Sequence, residues 1–438
     1  MPKITHRKKR LSSFKLIVLG FAGVIVLGAL ILMLPFSSTA GVVTPFHEAL
    51  FTSTSAVCVT GLVVQDTGSY WSAFGQTVIL LLIQIGGLGV VTVAALFAML
   101  SGRKISLMQR STMQDAISAP KVGGIVRLTR FIVRGTFLIE LIGMIVMLPT
   151  FCGNYGIKGI WMAAFHSVSA FCNAGFDILG TAENKYPSLT GYIGNPAINI
   201  AIMLLIIVGG IGFLTWDDIY TNKWHFKKYR MQSKVILVTT AILIIVPDFT
   251  GLPLAERILA SLFQSVTPRT AGFNTADLPA MTGSSKAIMT MLMLVGGSPG
   301  STAGGMKTTT LAVLILSAFS VCRKKDDAEV CGRRIDGSAV KNAAAVAVMY
   351  FLLFFVGGIV ISTAEGLPLS TCLYETASAV GTVGLTLGIT PQLGVLSQLI
   401  LIVLMYLGRV GGLTLIYAAV SNKNHSGAKL PLEKITVG

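Results

Sequence analysis

The chain has 438 residues, of which 53% are hydrophobic and only 12% are charged. Soluble domains carry about 25% charged residues. This composition therefore excludes a soluble globular enzyme, a disordered tail protein and a disulfide scaffold, and it indicates an integral membrane protein. The net charge of +16 does not indicate nucleic-acid binding, because lysines and arginines lie in short clusters between long apolar runs. That distribution is typical of cytoplasmic loops.

The apolar runs predict eight membrane-spanning helices. A spanning helix needs about 20 mostly apolar residues. The runs, in chain order, are 16–34, 73–100, 135–157, 188–216, 235–246, 287–306, 308–322, 342–364 and 391–408. We group 287–306 with 308–322 as one long, broken span, and 235–246 is a short run that ends at Pro247. The first run is too long for the apolar region of a signal peptide and similar runs follow it, so it is predicted to be a retained helix.

The positive charges predict the orientation of these spans. Lysine and arginine concentrate in the N-terminal segment, in 103–134, in 223–234, in 323–341 and in the C-terminal tail, so that every second loop is basic. Basic loops remain in the cytoplasm. Both termini are therefore predicted to be cytoplasmic, and each pair of spans begins and ends there. Any repeat of this unit has the same orientation each time, which disfavours an inverted-repeat transporter.

Four short segments recur in the outer loops, and each is too apolar for an exposed loop and too short to span. They are 55–62, 169–176, 266–273 and 378–385. Non-helical backbone at membrane depth is tolerated only where it lines a cavity or is buried in protein. We therefore predict four re-entrant pore loops whose carbonyl oxygens form a cation filter. The predicted filter residues are Val59, Thr60, Gly61, Asn173, Ala174, Gly175, Thr270, Ala271, Gly272, Thr382, Val383 and Gly384. The third copy departs most from the pattern, because Pro268 and Arg269 replace small residues.

A second glycine-rich signature follows each filter segment, in the next span. It begins at Gly86, Gly209, Gly296 and Gly408. Close packing of membrane helices on small residues explains this signature well. Close packing does not explain the first signature, which lies outside the spans.

The segment 296–305 interrupts the sixth span below the third filter segment. Its glycine-to-lysine spacing does not match a phosphate-binding loop, and no strand precedes it. Ten small or turn-forming residues do not form a stable lipid-facing helix, so this backbone is predicted to face the pore. The residues are Gly296, Gly297, Ser298, Pro299, Gly300, Ser301, Thr302, Ala303, Gly304 and Gly305.

Arg409 is a charged residue within the last span, where a charge is costly. Three interpretations are open: an ion pair with Glu140, a side chain that extends to the cytoplasmic surface, and a positive barrier below the filter. Lys307 is interpreted as the point where the broken span resumes.

Four span–loop–span units, each with a filter segment that ends in glycine, resemble the Trk/Ktr/HKT superfamily of potassium transporters, and among them the membrane subunit of bacterial Ktr systems. The resemblance covers nearly the whole chain. It implies potassium uptake, often stimulated by sodium, and a homodimer with one pore per protomer. It implies a separate cytosolic ring of nucleotide-binding (KtrA-like) regulatory subunits, with nucleotide only on that partner. It also implies that 296–305 is a gate and that Arg409 is the barrier below the filter. Glycine rather than serine at position 61 favours potassium.

The expected fold is an all-α integral membrane protein of four parallel span–pore loop–span repeats, with eight transmembrane helices and four re-entrant pore helices around a central pore. The expected repeats are 1–102, 103–222, 223–325 and 326–438, with pore loops near 45–66, 158–180, 253–277 and 367–388. The expected location is the bacterial plasma membrane. No covalent cofactor is expected, K⁺ is the transported ion, Na⁺ is a candidate activator, and membrane lipid is a partner whereas nucleic acid is not. Enzymatic activity is not expected, because no nucleophile–base or metal-binding constellation recurs. A sodium-preferring transporter of the same fold and a non-conducting membrane scaffold are the alternatives.

Overall fold

The structure is a computed structural model that describes residues 12–101, 105–117, 124–223, 225, 229–242, 253–325, 327–412 and 414. Its helices are α1 (Ser13–Leu32), α2 (Phe46–Val57), α3 (Ala73–Leu88), α4 (Val90–Leu100), α5 (Leu107–Ile117), α6 (Ile125–Tyr155), α7 (Lys158–Phe171), α8 (Pro196–Gly210), α9 (Phe213–Asn222), α10 (Met231–Ile242), α11 (Leu254–Val266), α12 (Gly283–Leu294), α13 (Thr308–Cys322), α14 (Gly337–Glu365), α15 (Leu369–Gly381) and α16 (Val395–Val410). A small antiparallel hairpin pairs β1 (Glu329–Val330) with β2 (Arg333–Arg334).

Within the described ranges, three helices are long and apolar enough to cross a membrane: α1, α6 and α14. Two bent pairs, α3 with α4 and α8 with α9, also qualify if each pair is one span, and α13 and α16 are shorter apolar helices. The structure thus places apolar helices on most of the predicted runs. The end of the predicted span 235–246, with Pro247, lies outside the described residues.

The bends are a feature that the run lengths did not predict. Each bent pair turns by 96° at its break. The break occurs at Gly89 with φ +84° and at Gly212 with φ +93°, a backbone conformation that glycine adopts readily and other residues avoid. Gly411 has φ +87° just after α16. The second glycine signature therefore changes the helix direction in two of its four copies, and in the fourth copy it ends α16 at a glycine with positive φ.

A short helix packs against two flanking helices in three parts of the chain. The short helix α2 packs on α1 and α3, α7 packs on α6 and α8, and α15 packs on α14 and α16. Neighbouring groups then meet in cyclic order, because α3 contacts α7, α8 contacts α11, α12 contacts α15 and α16 contacts α2. The short helices are therefore enclosed by the rest of the protein. In α2, for example, every one of the last eight residues except Leu50 is buried.

Candidate functional site

The four predicted filter segments have the same backbone geometry. Each follows the end of a short helix and contains a residue with positive φ two positions before a glycine with positive φ. The pairs are Val59 (+58°) and Gly61 (+92°), Asn173 (+60°) and Gly175 (+67°), Thr270 (+69°) and Gly272 (+79°), and Thr382 (+53°) and Gly384 (+92°). The third copy adopts this geometry despite Pro268 and Arg269. It is an outlier in sequence but not in backbone conformation.

The four glycines meet one another around a closed ring. A Cβ atom added to each glycine would lie against the carbonyl oxygen that precedes the glycine of the next segment. The distances are 2.4 Å from Gly61 to Ala174 O, 2.7 Å from Gly175 to Ala271 O, 2.6 Å from Gly272 to Val383 O and 2.1 Å from Gly384 to Thr60 O. The last distance closes the ring back to the first segment. The structure thus brings all twelve predicted filter residues into one four-part arrangement in which a side chain at the glycine positions would not fit.

Hydroxyl groups on the short helices hold these segments in place. Ser55 Oγ accepts a hydrogen bond from the Gly61 amide (3.0 Å), and Ser378 Oγ accepts one from the Gly384 amide (2.9 Å). In the second copy Ser169 Oγ instead donates to Phe176 O (2.8 Å). Sequence reasoning did not assign a role to these serines. The available signal was their common position, six residues before the glycine.

Three of the four glycines that begin the second signature pack against the ends of the short helices. A Cβ on Gly86 would lie 2.1 Å from Val57 O, one on Gly209 would lie 2.1 Å from Phe171 O, and one on Gly408 would lie 2.2 Å from Val380 O. Each carbonyl belongs to the end of a short helix. Close packing on small residues, as the sequence indicated, therefore supports the filter segments from below.

The segment 296–305 is non-helical and lies between α12 and α13. The Ser298 amide donates to Gly210 O (3.0 Å), and the Gly305 amide donates to Gly408 O (3.2 Å). Thr302 Oγ1 donates to Phe171 O (3.2 Å) at the end of α7. The segment is therefore fixed to the second and fourth units, directly next to their filter segments.

Arg409 binds backbone carbonyls rather than a carboxylate. Its guanidinium donates to Thr302 O in the segment 296–305 and to Gly86 O and Gly87 O (3.4 Å to Gly87 O) in α3. The interpretation of an ion pair between Arg409 and Glu140 is wrong. The buried Glu140 carboxyl instead accepts a hydrogen bond from Gln84 Nε2 (3.4 Å). The side chain of Arg409 also does not extend to the cytoplasmic surface, because the guanidinium points to carbonyls inside the protein.

Lys307 also donates to carbonyls of the same segment. Its Nζ lies 2.8 Å from Ala303 O and 3.2 Å from Gly304 O. Helix α13 begins at the next residue, Thr308, as expected for the point where the broken span resumes. Two cationic side chains thus hold the segment 296–305 by its carbonyl oxygens.

A cavity of about 310 Å³ lies beside this segment. Its walls include Pro299, Gly300, Ser301, Tyr350 and Arg409. None of the four ring glycines lines this cavity.

Acidic residues follow the first two filter segments along the chain. Asp66 accepts hydrogen bonds from the Tyr186 amide (3.0 Å) and from the Ser69 amide and hydroxyl (2.7 Å each). Burial, reinforced by the nearby Asp66 carboxylate, raises the pKa of Asp177 to about 7. Across the described ranges, no group of three or more His, Cys, Asp or Glu side chains is placed to hold a metal ion. The described residues thus offer a cation backbone carbonyl oxygens rather than a cluster of side-chain ligands.

The chain is similar to known cation transport proteins. The profile of the TrkH family, described as cation transport protein, matches residues 16–237 and 233–426. The chain is 39% identical to the potassium/sodium uptake protein NtpJ of Enterococcus hirae over 98% of each chain, and 37% identical to the Ktr system potassium uptake protein B of Bacillus subtilis over 92% of each chain. The crystal structure of the potassium transporter TrkH from Vibrio parahaemolyticus superposes with a TM-score of 0.74 at 19% identity, covering 96% of this chain and 87% of that one.

Proposed function

Because the chain belongs to the TrkH family of cation transport proteins, we propose that it takes up potassium across the bacterial plasma membrane through a filter of backbone carbonyls. The resemblance to Ktr membrane subunits is confirmed, and the chain is a multi-pass membrane transporter rather than an enzyme. The proposed architecture has eight transmembrane helices and four re-entrant pore helices, α2, α7, α11 and α15, in four repeats around one pore. The proposed repeats are 1–102, 103–222, 223–325 and 326–438.

The closed ring of glycines and carbonyls is the observation that carries this proposal. Each glycine lies against the carbonyl of the next segment, and Gly384 returns to Thr60 O. A ring of carbonyl oxygens can replace the hydration shell of an alkali cation. Four glycines that only packed helices would not need to meet head to tail around one axis. This ring supports the proposal that the predicted residues form the filter, with Gly61, Gly175, Gly272 and Gly384 allowing the close approach.

The driving force in this proposal is the membrane potential, which is worth about 2.3 kcal/mol per elementary charge per 100 mV. No chemical step and no covalent cofactor are involved. Sodium is proposed as an activator.

We assign the gate to the residues 296–305 together with Arg409. The bonds from Ser298 and Gly305 attach the loop next to the filter, and the guanidinium of Arg409 adds a positive charge beside Thr302 O. A fixed positive charge below the filter repels a cation. The loop must therefore leave its present position for conduction, and this requires that the bonds from Arg409 break.

Further subunits belong to the proposed assembly. Three relatives are named as parts of Ktr systems, and such a name implies other subunits. We propose a homodimer that binds a cytosolic nucleotide-binding regulatory ring on its basic face. Both termini, most of which lie outside the described residues, are proposed to be cytoplasmic.

A sodium-preferring transporter is the second candidate, because the relative from Enterococcus hirae is named a potassium/sodium uptake protein. The two candidates differ in competition. Rubidium-tracer uptake into liposomes with the purified protein is blocked by potassium and not by sodium if the proposal holds. Equal or stronger block by sodium favours the second candidate.

Two variants test the assigned parts. Gly61→Ser is expected to reduce the preference for potassium over sodium, and an unchanged competition would refute the filter assignment. A deletion of residues 298–305 is expected to raise basal uptake. If the wild type and the deletion variant are both silent while correctly folded, a non-conducting membrane scaffold is the better interpretation.

A further inference from the structure

Helix α6 carries three arginines on one face at its N-terminal end. Arg127, Arg130 and Arg134 are all exposed, and their spacing of three and four residues places them on one side of the helix. In the part of the chain that the structure describes, none of them forms an ion pair. These three exposed charges of one sign form a concentrated positive patch on one face of the helix.

The same face of α6 continues directly into an apolar stripe. Phe137, Leu138, Leu141 and Ile145 follow at the same helical spacing, and each side chain is more than half exposed. The opposite face, with Ile132, Thr136 and Glu140, is buried against the protein. Because large apolar side chains remain exposed only where lipid covers them in a membrane protein, this stripe faces the acyl chains. The arginines lie on the continuation of that stripe and therefore face the lipid and not the pore axis.

The length of α6 places the arginines at the level of the headgroups. The helix has 31 residues and is therefore about 46 Å long, whereas the hydrocarbon core is about 30 Å thick. The distance from Arg134 to the end of the helix at Tyr155 is about 32 Å at 1.5 Å per residue. A span that ends near Tyr155 thus begins near Arg134, with Arg130 and Arg127 one and two turns farther out.

We propose that Arg127, Arg130 and Arg134 form a binding site for the phosphate groups of anionic phospholipids in the cytoplasmic leaflet. Guanidinium groups bind phosphate oxygens through paired hydrogen bonds. A second copy of the chain is disfavoured as the occupant, since a two-fold contact through this face would bring the three arginines against the same three arginines. A cytosolic subunit is disfavoured because the arginines continue a lipid-facing stripe. The leaflet follows from the proposed orientation, whereas the site itself does not require the proposed transport activity.

The test measures lipid binding on the purified full chain by native mass spectrometry, with phosphatidylglycerol as the anionic probe and phosphatidylcholine as its neutral competitor. An arginine near an anionic surface changes the affinity roughly fivefold. The triple variant Arg127→Gln, Arg130→Gln, Arg134→Gln is therefore expected to lose at least about tenfold of the preference for phosphatidylglycerol. Replacement of the same three residues by lysine is expected to retain most of the preference. High ionic strength is expected to weaken it in the wild type.

The matched control removes the same amount of charge elsewhere. Arg323→Gln, Lys324→Gln and Arg333→Gln alter exposed basic residues near the β1–β2 hairpin and are expected to leave the lipid preference unchanged. An equal loss in this control, or no loss in the α6 triple variant, would overturn the proposal. Unchanged lipid binding together with lost binding of the regulatory ring would also overturn the proposal. If the glutamine triple variant does not fold, the single variant Arg130→Gln and the lysine variant provide the comparison.

Discussion

Gly384→Ala is the sharpest test of the closed ring. The glycine has φ +92°, and a Cβ atom would lie 2.1 Å from Thr60 O, well inside the ordinary contact distance of 3.4 Å. The chain also provides a matched control four residues later. Gly388 has φ +89°, but a Cβ atom there would meet nothing within 4 Å. The two substitutions therefore impose the same backbone strain, and only one imposes a clash.

The expected magnitudes follow from these two terms. Positive φ costs a non-glycine residue about 1–2 kcal/mol, and this cost applies to both variants. The clash at Gly384 adds about 1–3 kcal/mol, the usual cost of overpacking, because the contacting atom is backbone that cannot move without opening the ring. This excess corresponds to roughly a five- to 150-fold shift from the intact ring to a displaced one.

Rubidium uptake into liposomes, normalised to the amount of folded protein, measures the outcome. Gly384→Ala is expected to lose about tenfold or more of its uptake, whereas Gly388→Ala stays within about twofold of the wild type. Monodisperse elution and a melting temperature establish that both variants are folded. Equal uptake by the two variants would refute the claim that the close approach of Gly384 to the first filter segment matters for conduction.

Three further predictions concern the gate, the filter support and the entrance. Arg409→Gln removes charge-assisted hydrogen bonds worth about 1.5–3 kcal/mol and is expected to raise basal rubidium uptake roughly tenfold. The uptake of Arg409→Lys is expected to lie between those of the wild type and the glutamine variant. Lower uptake by the glutamine variant would contradict the gate assignment. Ser378→Ala leaves the buried Gly384 amide without its acceptor and is expected to lower stability by about 1–3 kcal/mol, which thermal unfolding measures against Ser378→Thr. Asp177 has a pKa raised from 3.8 to about 7 in the folded protein, so the folded state binds its proton more tightly, and stability falls as the pH rises from about 4 to about 7. Melting temperatures of Asp177→Asn are expected to show a shallower fall over that range, and an identical pH profile would argue against the raised pKa.

Local sequence features were sufficient to predict most of the apolar helices and the four glycine-ended segments. Runs such as 135–157 are long and apolar, and lipid accepts only helices or closed barrels, so composition alone specified the helix. The recurring glycines at 61, 175, 272 and 384 could be found because each copy must satisfy the same backbone requirement. The third copy shows the limit of this reasoning, since Arg269 suggested a departure that the backbone does not show.

Long-range contacts decided the rest. The sequence left three interpretations of Arg409 open, because its partners Thr302 and Gly86 lie 107 and 323 positions away along the chain. The sequence predicted 73–100 as one span, whereas the structure divides this run into two helices at Gly89. A glycine within an apolar run bends a helix only where neighbouring helices fix the new direction.

The amino-acid sequence by itself determined that this protein lies in a membrane, which of its runs are apolar enough for lipid and where four glycine-ended segments recur, because burial in lipid and backbone freedom are local properties. Only the tertiary structure decided which carbonyl each glycine faces, that Gly384 closes the ring on Thr60, and that Arg409 holds the loop 296–305. Those contacts join segments from different units of the chain, and their geometry depends on how all the helices pack around the shared axis.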